Sequence, residues 1–304
     1  MSFSLSASIV VFDSDPELLR RTLESLATAI VDARRAGLLG SARITLVDNG
    51  APAGTMVDEA FAAAPQFSGE TGMVWRRIAG QGNIGFGRGH NLAMHDGIIS
   101  RRTSLGPRLR GDDKGGRVTD ADIHLVLNPD ALLAADALTL GLAWLRDTPA
   151  CGMAAPYGAG PDGAPLFLCK RYPDLLTLLL RAAAPAALRQ RFARRLARYE
   201  LRDIVGERGE RPAEGVPLAS GCCMLLRREA LQHANGFDPS YFVYFEDYDL
   251  SLRLAHGAGW RIDYLPRMRL VHFGGNAARK SWRHVRLFAA GAIRFFSRHG
   301  WKFA

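Results

Sequence analysis

The 304-residue chain is poor in cysteine, in acidic charge relative to basic, and in long apolar runs. Each shortage excludes something. The four cysteines, Cys151, Cys169, Cys222 and Cys223, contain no Cys-x-x-Cys pair, which argues against a zinc site. Cys222 and Cys223 adjoin in an apolar stretch and read as buried thiols of a reducing cytosol. No run reaches the roughly 18–20 apolar residues that span a membrane. The opening MSFSLSASIVVF lacks a basic n-region and a long apolar core, so it reads as a first strand rather than a signal peptide. Acidic residues number 30 against 39 Lys and Arg, a net charge of +9 that calls for an anionic partner. Nucleic acid, nucleotide phosphates and an anionic membrane all satisfy that charge. Two phosphate-binding signatures are missing as well. Ser14-Asp15-Pro16 follows the first strand where a dinucleotide fingerprint needs glycines, and the glycine-rich loop at 82–89 lacks the Gly-Lys-Ser/Thr end of a P-loop.

What is present is an alternation of strands and helices. Ser8–Phe12 is a short buried-strand pattern, and Asp15-Pro16 starts a helix through about Ala33 with Leu18, Leu19, Leu23 and Leu26 on one face. Strand patterns recur at Arg43–Val47, Val74–Ile78 and Asp122–Leu127, with helices expected from about His90 and over Ala135–Arg146. This order predicts an α/β fold with a single mixed, mostly parallel sheet flanked by helices. Residues 101–119, rich in Gly, Arg and Asp, read as a mobile insertion. Asp174–Arg202 reads as an apolar stretch, a break at Pro185 and a basic helix; it either lies on an anionic membrane surface or packs on the domain with its basic face in water. Ser281–Ala304 repeats the aromatic and basic mixture.

Ligands of open α/β sheets bind beyond the carboxyl ends of the strands. Asp13 and Asp15 follow the first strand, Asp48 and Asn49 the second, Asn83 the third, and Asn128 and Asp130 the fourth. Asp130 is either a ligand for Mg²⁺ or Mn²⁺, with Asn128 adding an amide oxygen, or a helix-capping turn residue. His272 ends a further strand pattern and is either a third ligand or structural. Glu246-Asp247-Tyr248-Asp249 follows a run of aromatics, so a carboxyl there is desolvated and its pKa rises toward the working range of a general base. The alternative is an acidic first helical turn with Asp249 paired to Arg253 at i,i+4.

The segments VVFDSDPELLRRTLESL, TLVDNG, GNIGFGRGHNLAM, LVLNPDALL and SGCCMLLRREALQHANGFDPSYFVYFEDYDLSLRLAHGAGWRIDYLPRMRLVHFGG resemble, in that order, the inverting family 2 glycosyltransferases of GT-A fold. Within that family the chain is most similar to bacterial rhamnosyltransferases that use dTDP-L-rhamnose in cell-surface polysaccharide synthesis. The resemblance implies a GT-A domain over 1–275, with a Rossmann-like nucleotide-sugar half to about residue 130 and an acceptor half after it, then a basic amphipathic helix over 276–304. It implies Asp247 as catalytic base with Glu246 beside it. Asp48, Asn83, Gly85 and Asn91 would bind the nucleotide sugar, with Asp13 at a departure from the family pattern. Asp130, His272 and Asn128 would hold Mg²⁺ or Mn²⁺. The implied partners are a nucleotide-diphosphate sugar, a saccharide or polyprenyl-linked saccharide and the inner face of the cytoplasmic membrane, with no nucleic acid. Other donor sugars (galactose, glucose or N-acetylhexosamine) and a non-catalytic nucleotide-binding relative remain as alternatives. A dehydrogenase lacks its fingerprint here, and a nucleic-acid binder lacks a helix-turn-helix, zinc or aromatic-platform motif.

Overall fold

The computed structural model describes residues 2–50, 72–95, 121–257, 259–274 and 282–304, together with Glu59, Phe61 and Ala62. The 101–119 insertion lies outside these residues. The chain runs β1 (Phe3–Val11), α1 (Pro16–Arg35), β2 (Leu39–Asp48), β3 (Met73–Ile78), α2 (Phe86–His95), β4 (Ile123–Leu127), β5 (Ala131–Leu133), α3 (Ala137–Asp147) and β6 (Cys151–Ala159). It continues through β7 (Cys169–Lys170), α4 (Leu175–Ala183), α5 (Ala186–Arg191), α6 (Ala193–Tyr199), α7 (Arg202–Val205), β8 (Leu218–Ala219), β9 (Cys223–Arg227) and α8 (Arg228–Ala234). Last come α9 (Glu246–Leu252), β10 (Arg261–His272) and α10 (Trp282–His299).

Eight strands form one sheet in the order β3-β2-β1-β4-β9-β6-β10-β5. β3, β2, β1 and β4 are mutually parallel, as expected of strands joined by helical crossovers. β9 runs antiparallel to both β4 and β6, and β5 antiparallel to β10. β1 sits inside the sheet and is buried on both faces. Its Leu5, Ala7, Ile9 and Val11 join the core against α1 and α3, while Ser6 and Ser8 project to the other face. There Ser8 bonds both His90 (2.7 Å) and His124 (2.8 Å), and Ser6 bonds His124 at 2.6 Å. Burial holds both imidazoles well below their ordinary pKa, so they are neutral core groups.

Several sequence boundaries shift. α2 begins at Phe86, not His90, because Asn83 and Gly85 already form the turn that starts it. β10, the strand that His272 ends, begins at Arg261, before the Met268–His272 strand pattern of the sequence, and carries a register shift between Leu265 and Arg269 that hid its first half. The basic stretch after Pro185 is two short helices broken at Phe192 (φ −102°, ψ 20°), not one.

Candidate active site

The ends of β2 and β3 and the start of α2 build one polar cluster. Asp48 is buried at the end of β2; its Oδ1 accepts the Gly50 N–H (2.9 Å) and its Oδ2 accepts from Arg77 (2.6 Å). Asn49 donates to the Gly85 carbonyl (3.1 Å) and reaches Asn83 Oδ1 at 3.5 Å. Gln81 closes the ring by donating to the Asp48 carbonyl (2.7 Å) and Asn49 Oδ1 (3.3 Å). Gly85 has φ +91°, and a Cβ there would stand 2.2 Å from the Phe242 carbonyl oxygen. That carbonyl accepts the Phe86 N–H at 2.9 Å, so the glycine turn docks directly on the segment that leads to the acid pair. Two expected donor residues fare differently. Asn91 spends both ends of its amide on the Phe237 backbone (2.7 and 2.9 Å), which makes it a brace for that segment. Asp13, two residues past the end of β1, is exposed with φ +50°.

Pairing of β5 with β10 sets His272 opposite Ala131 and so beside Asp130. His272 Nε2 lies 3.1 Å from Asp130 Oδ1 and 3.3 Å from the Asn128 amide. One ring nitrogen cannot donate to the carboxylate and accept from the amide at once. The arrangement is three donor groups converging on one point, and it suits a hard cation once the amide turns its oxygen inward. Among the described residues, no group of three or more His, Cys, Asp or Glu forms a protein-only cage. A cation held here would draw its remaining ligands from phosphates and water, as Mg²⁺ commonly does.

The acid pair opens α9. Tyr244 and Phe245, immediately before it, both adopt left-handed backbone conformations (φ +73° and +70°), a costly arrangement for aromatic residues. The turn delivers Glu246 and Asp247 into a cavity of about 560 Å³ whose lining includes Phe86, Asn128, Arg181, Tyr199 and His284. Asn128 therefore connects the cation cluster to the acids. Asp247 Oδ2 accepts the Gly221 N–H and Oδ1 the Tyr248 N–H, both at 2.9 Å. Desolvation raises the Asp247 pKa, against the pull of these backbone donors. Glu246, 4% exposed, is also raised, to about 8, by desolvation and then by the neighbouring Asp247 charge. Its Oε2 has no hydrogen-bond partner. At neutral pH Glu246 is thus protonated and carries unspent polar capacity, beside an Asp247 carboxyl that burial also pushes up.

Asp249 points away from the cavity. It pairs with Arg253 Nε (2.7 Å), as the i,i+4 spacing predicts, and also bonds His299 Nε2 (2.8 Å) of α10. A second cavity, about 810 Å³, opens between residues 238–243 and α10, and none of the expected site residues lines it. Sequence reasoning missed Gln81, Arg181, Tyr199 and His284, which come from segments with no motif of their own. Only the aromatic and basic mixture around the last three hinted at them.

Comparison with known proteins adds an independent line. Residues 169–291 match the family described as glycosyltransferase like family 2. The N-acetylglucosaminyl-diphospho-decaprenol L-rhamnosyltransferase of Mycobacterium tuberculosis is 29% identical over 229 residues, 75% of this chain. The match spans 66% of that relative's length, just short of two thirds. Rhamnosyltransferase WbbL of Escherichia coli is 43% identical over 58 residues, 19% of this chain and 22% of its own. Among solved structures, a mannosyltransferase from Pyrobaculum calidifontis in complex with GDP-Man and Mn²⁺ superposes with TM-score 0.55 at 17% identity, covering 97% of this chain and 65% of the other. GalNAc-T7 with UDP, GalNAc and Mn²⁺ superposes with TM-score 0.59 at 11% identity, covering 97% and 48%. At such identities these two likenesses speak for the fold alone.

Proposed function

We propose that this chain, which belongs to the family 2 glycosyltransferases and has their GT-A fold, moves a sugar from a nucleoside diphosphate to a hydroxyl of a lipid-linked saccharide with inversion. The observation that carries this reading is the acid pair itself, a desolvated Asp247 in a cavity shared with Asn128. Asp247 accepts the proton of the acceptor hydroxyl as that oxygen attacks the anomeric carbon. Attack opposite the leaving group inverts the centre. Glu246, protonated at neutral pH, donates a hydrogen bond to the acceptor sugar through the oxygen that has no partner in the protein. Asp48, Asn83 and Gly85 hold the nucleotide, with Asn49 and Gln81 fixing their geometry. Asp130, His272 and Asn128 would hold Mg²⁺ or Mn²⁺, whose charge offsets that building on the diphosphate.

The favoured donor is dTDP-L-rhamnose and the favoured acceptor a sugar on a polyprenyl diphosphate, such as N-acetylglucosaminyl diphosphate. The rhamnose and the acceptor follow the names of the curated relatives, and the dTDP carrier follows the family resemblance of the sequence. A peripheral membrane site suits that acceptor. No helix among the described residues is long and apolar enough to cross a membrane, yet Trp282 (82% exposed) and Leu179 (63%) stand in water on helices that also carry the basic residues.

Asp247→Asn should lower turnover by about 10²–10⁴-fold. Protection from thermal unfolding by the nucleotide sugar should survive the substitution. Turnover near that of the parent would remove Asp247 as the base. A panel of nucleotide sugars in the same unfolding assay identifies the donor, since only a ligand that binds the folded state raises Tm.

A further inference from the structure

We infer that Arg181 and His284 form a site for the diphosphate of the acceptor's lipid carrier, at the solvent-facing side of the cavity that holds Glu246 and Asp247. This rests on the transfer reaction proposed above. Both residues line that cavity, Arg181 from α4 and His284 from α10, and both are exposed. Each is oriented by a neighbour. Glu200 accepts from Arg181 Nη1 at 2.6 Å, and the guanidinium lies over the Tyr199 ring, 5.4 Å from its centroid. Tyr199 is in turn fixed by a 2.9 Å hydroxyl contact with Tyr248, next to the proposed base. Tyr244 Oη lies 3.0 Å from His284 Nδ1; with the hydroxyl donating, the proton sits on Nε2 and is presented as a donor.

The local charge has the right sign. Glu200 faces three cations, Arg181, Arg202 at 2.6 Å and Lys170 at 3.6 Å, and a second carboxylate, Glu207, lies 3.5 Å from Arg202. Lys170 is nearly buried and its Nζ makes no hydrogen bond. Three cations against these two carboxylates leave the patch one positive charge, and a planar guanidinium matches phosphate oxygens well.

The surroundings favour the acceptor's diphosphate over the donor's. The donor-side groups, Asp48, Asn83 and Asp130, stand at strand ends, whereas Arg181 and His284 come from the two helices whose Leu178, Ala182, Val285 and Phe288 make the same wall apolar. Exposed Leu179 and Trp282 sit one and two residues away from Leu178 and His284 along those helices. A sugar, two phosphates and a prenyl chain, in that order, match acids, cations and apolar helices.

The test uses the full chain and two acceptors: N-acetylglucosaminyl diphosphate on a short prenyl chain, and the same sugar on a phosphate-free alkyl chain. Arg181→Gln and His284→Gln should each raise KM for the diphosphate acceptor about tenfold, the size expected of one charge-assisted hydrogen bond. The preference for that acceptor over the phosphate-free one should shrink by the same factor. Arg181→Lys should fall between. Nucleotide-sugar protection from unfolding confirms that each variant is folded. Equal loss on both acceptors, or a rise in donor KM in place of acceptor KM, overturns the assignment. Absence of transfer by the parent chain to either acceptor would instead overturn the proposed reaction.

Discussion

Two adjacent carboxyls in one cavity titrate as a pair, and the groups around each decide what it does. Asp247 is raised by desolvation while two backbone donors pull the other way; Glu246 has burial and the Asp247 charge against it and holds its proton to about 8. The acid limb of kcat should lie above the ordinary carboxylate range, and an alkaline decline near pH 8 should vanish in Glu246→Gln. A pH–rate profile checks both, and coincident profiles would show that Glu246 plays no part. The same shift makes a stability statement. Between the ordinary value near 4.5 and about 8, the folded chain binds a proton at Glu246 that the unfolded chain has lost, so stability falls as pH rises through that window. Glu246→Gln should therefore gain more Tm at pH 8.5 than at pH 5, by a few °C. These residues were legible because three acids in four positions after aromatics is a rare local pattern. Arg181 and His284 were not, since a lone arginine and a lone histidine gain meaning only when helices 100 residues apart share a wall. For Asn91, nothing local to it reveals that the Phe237 backbone bonds both ends of its amide.

α10 acts as a clamp on the segment that carries the acids. Phe288 and Phe295 pack on Phe245, His299 and Arg298 reach Asp249, and Arg298 also pairs with Asp238. Against this helix the left-handed Tyr244–Phe245 turn is held in shape. Gly291 makes the approach possible, since a Cβ there would stand 2.8 Å from the Tyr244 carbonyl oxygen. Alanine gains up to about 1 kcal/mol of helix propensity, but overpacking against backbone costs about 1–3 kcal/mol. Gly291→Ala should consequently lower Tm and reduce kcat at least several-fold while donor KM stays near its parent value. Steady-state kinetics with both substrates varied would decide it, and an unchanged kcat would mean that the helix does not set the turn. Helices with clear apolar faces, α1 above all, were readable from the sequence. β9 was not, because CCMLL is a featureless apolar run whose direction depends on pairing with β4 and β6.

At the scale of the molecule, basic charge and exposed apolar side chains gather where α4 to α6 meet the end of α10. Backbone bonds from Leu175 to Lys302 (2.9 Å) and Leu176 to Phe303 (3.3 Å) join the two regions. Arg189, Arg191 and Arg194 are exposed there, whereas Arg195 is committed to Asp174 at 2.9 Å. Changing those three to glutamine should weaken sedimentation with anionic vesicles by on the order of a hundredfold, at about 1 kcal/mol per charge; unchanged binding would remove this helical region as the anchor. The alternation of strands and helices was enough to anticipate the sheet, while the division of its two faces had to await the structure. That division gives the scarce cysteines a use. Cys151, Cys222 and Cys223 belong to the core cluster on the α1 and α3 side, Cys169 to the cluster on the other. All four are free and buried; desolvation pushes the thiols of Cys151, Cys169 and Cys223 up to about 12 and that of Cys222 well above its ordinary value. A thiolate is the form that alkylates, so a pulse of iodoacetamide marks only molecules whose layers have parted. The four sulfurs are a built-in clock, with three hands on one face of the sheet and one on the other, that times which half of the molecule opens first.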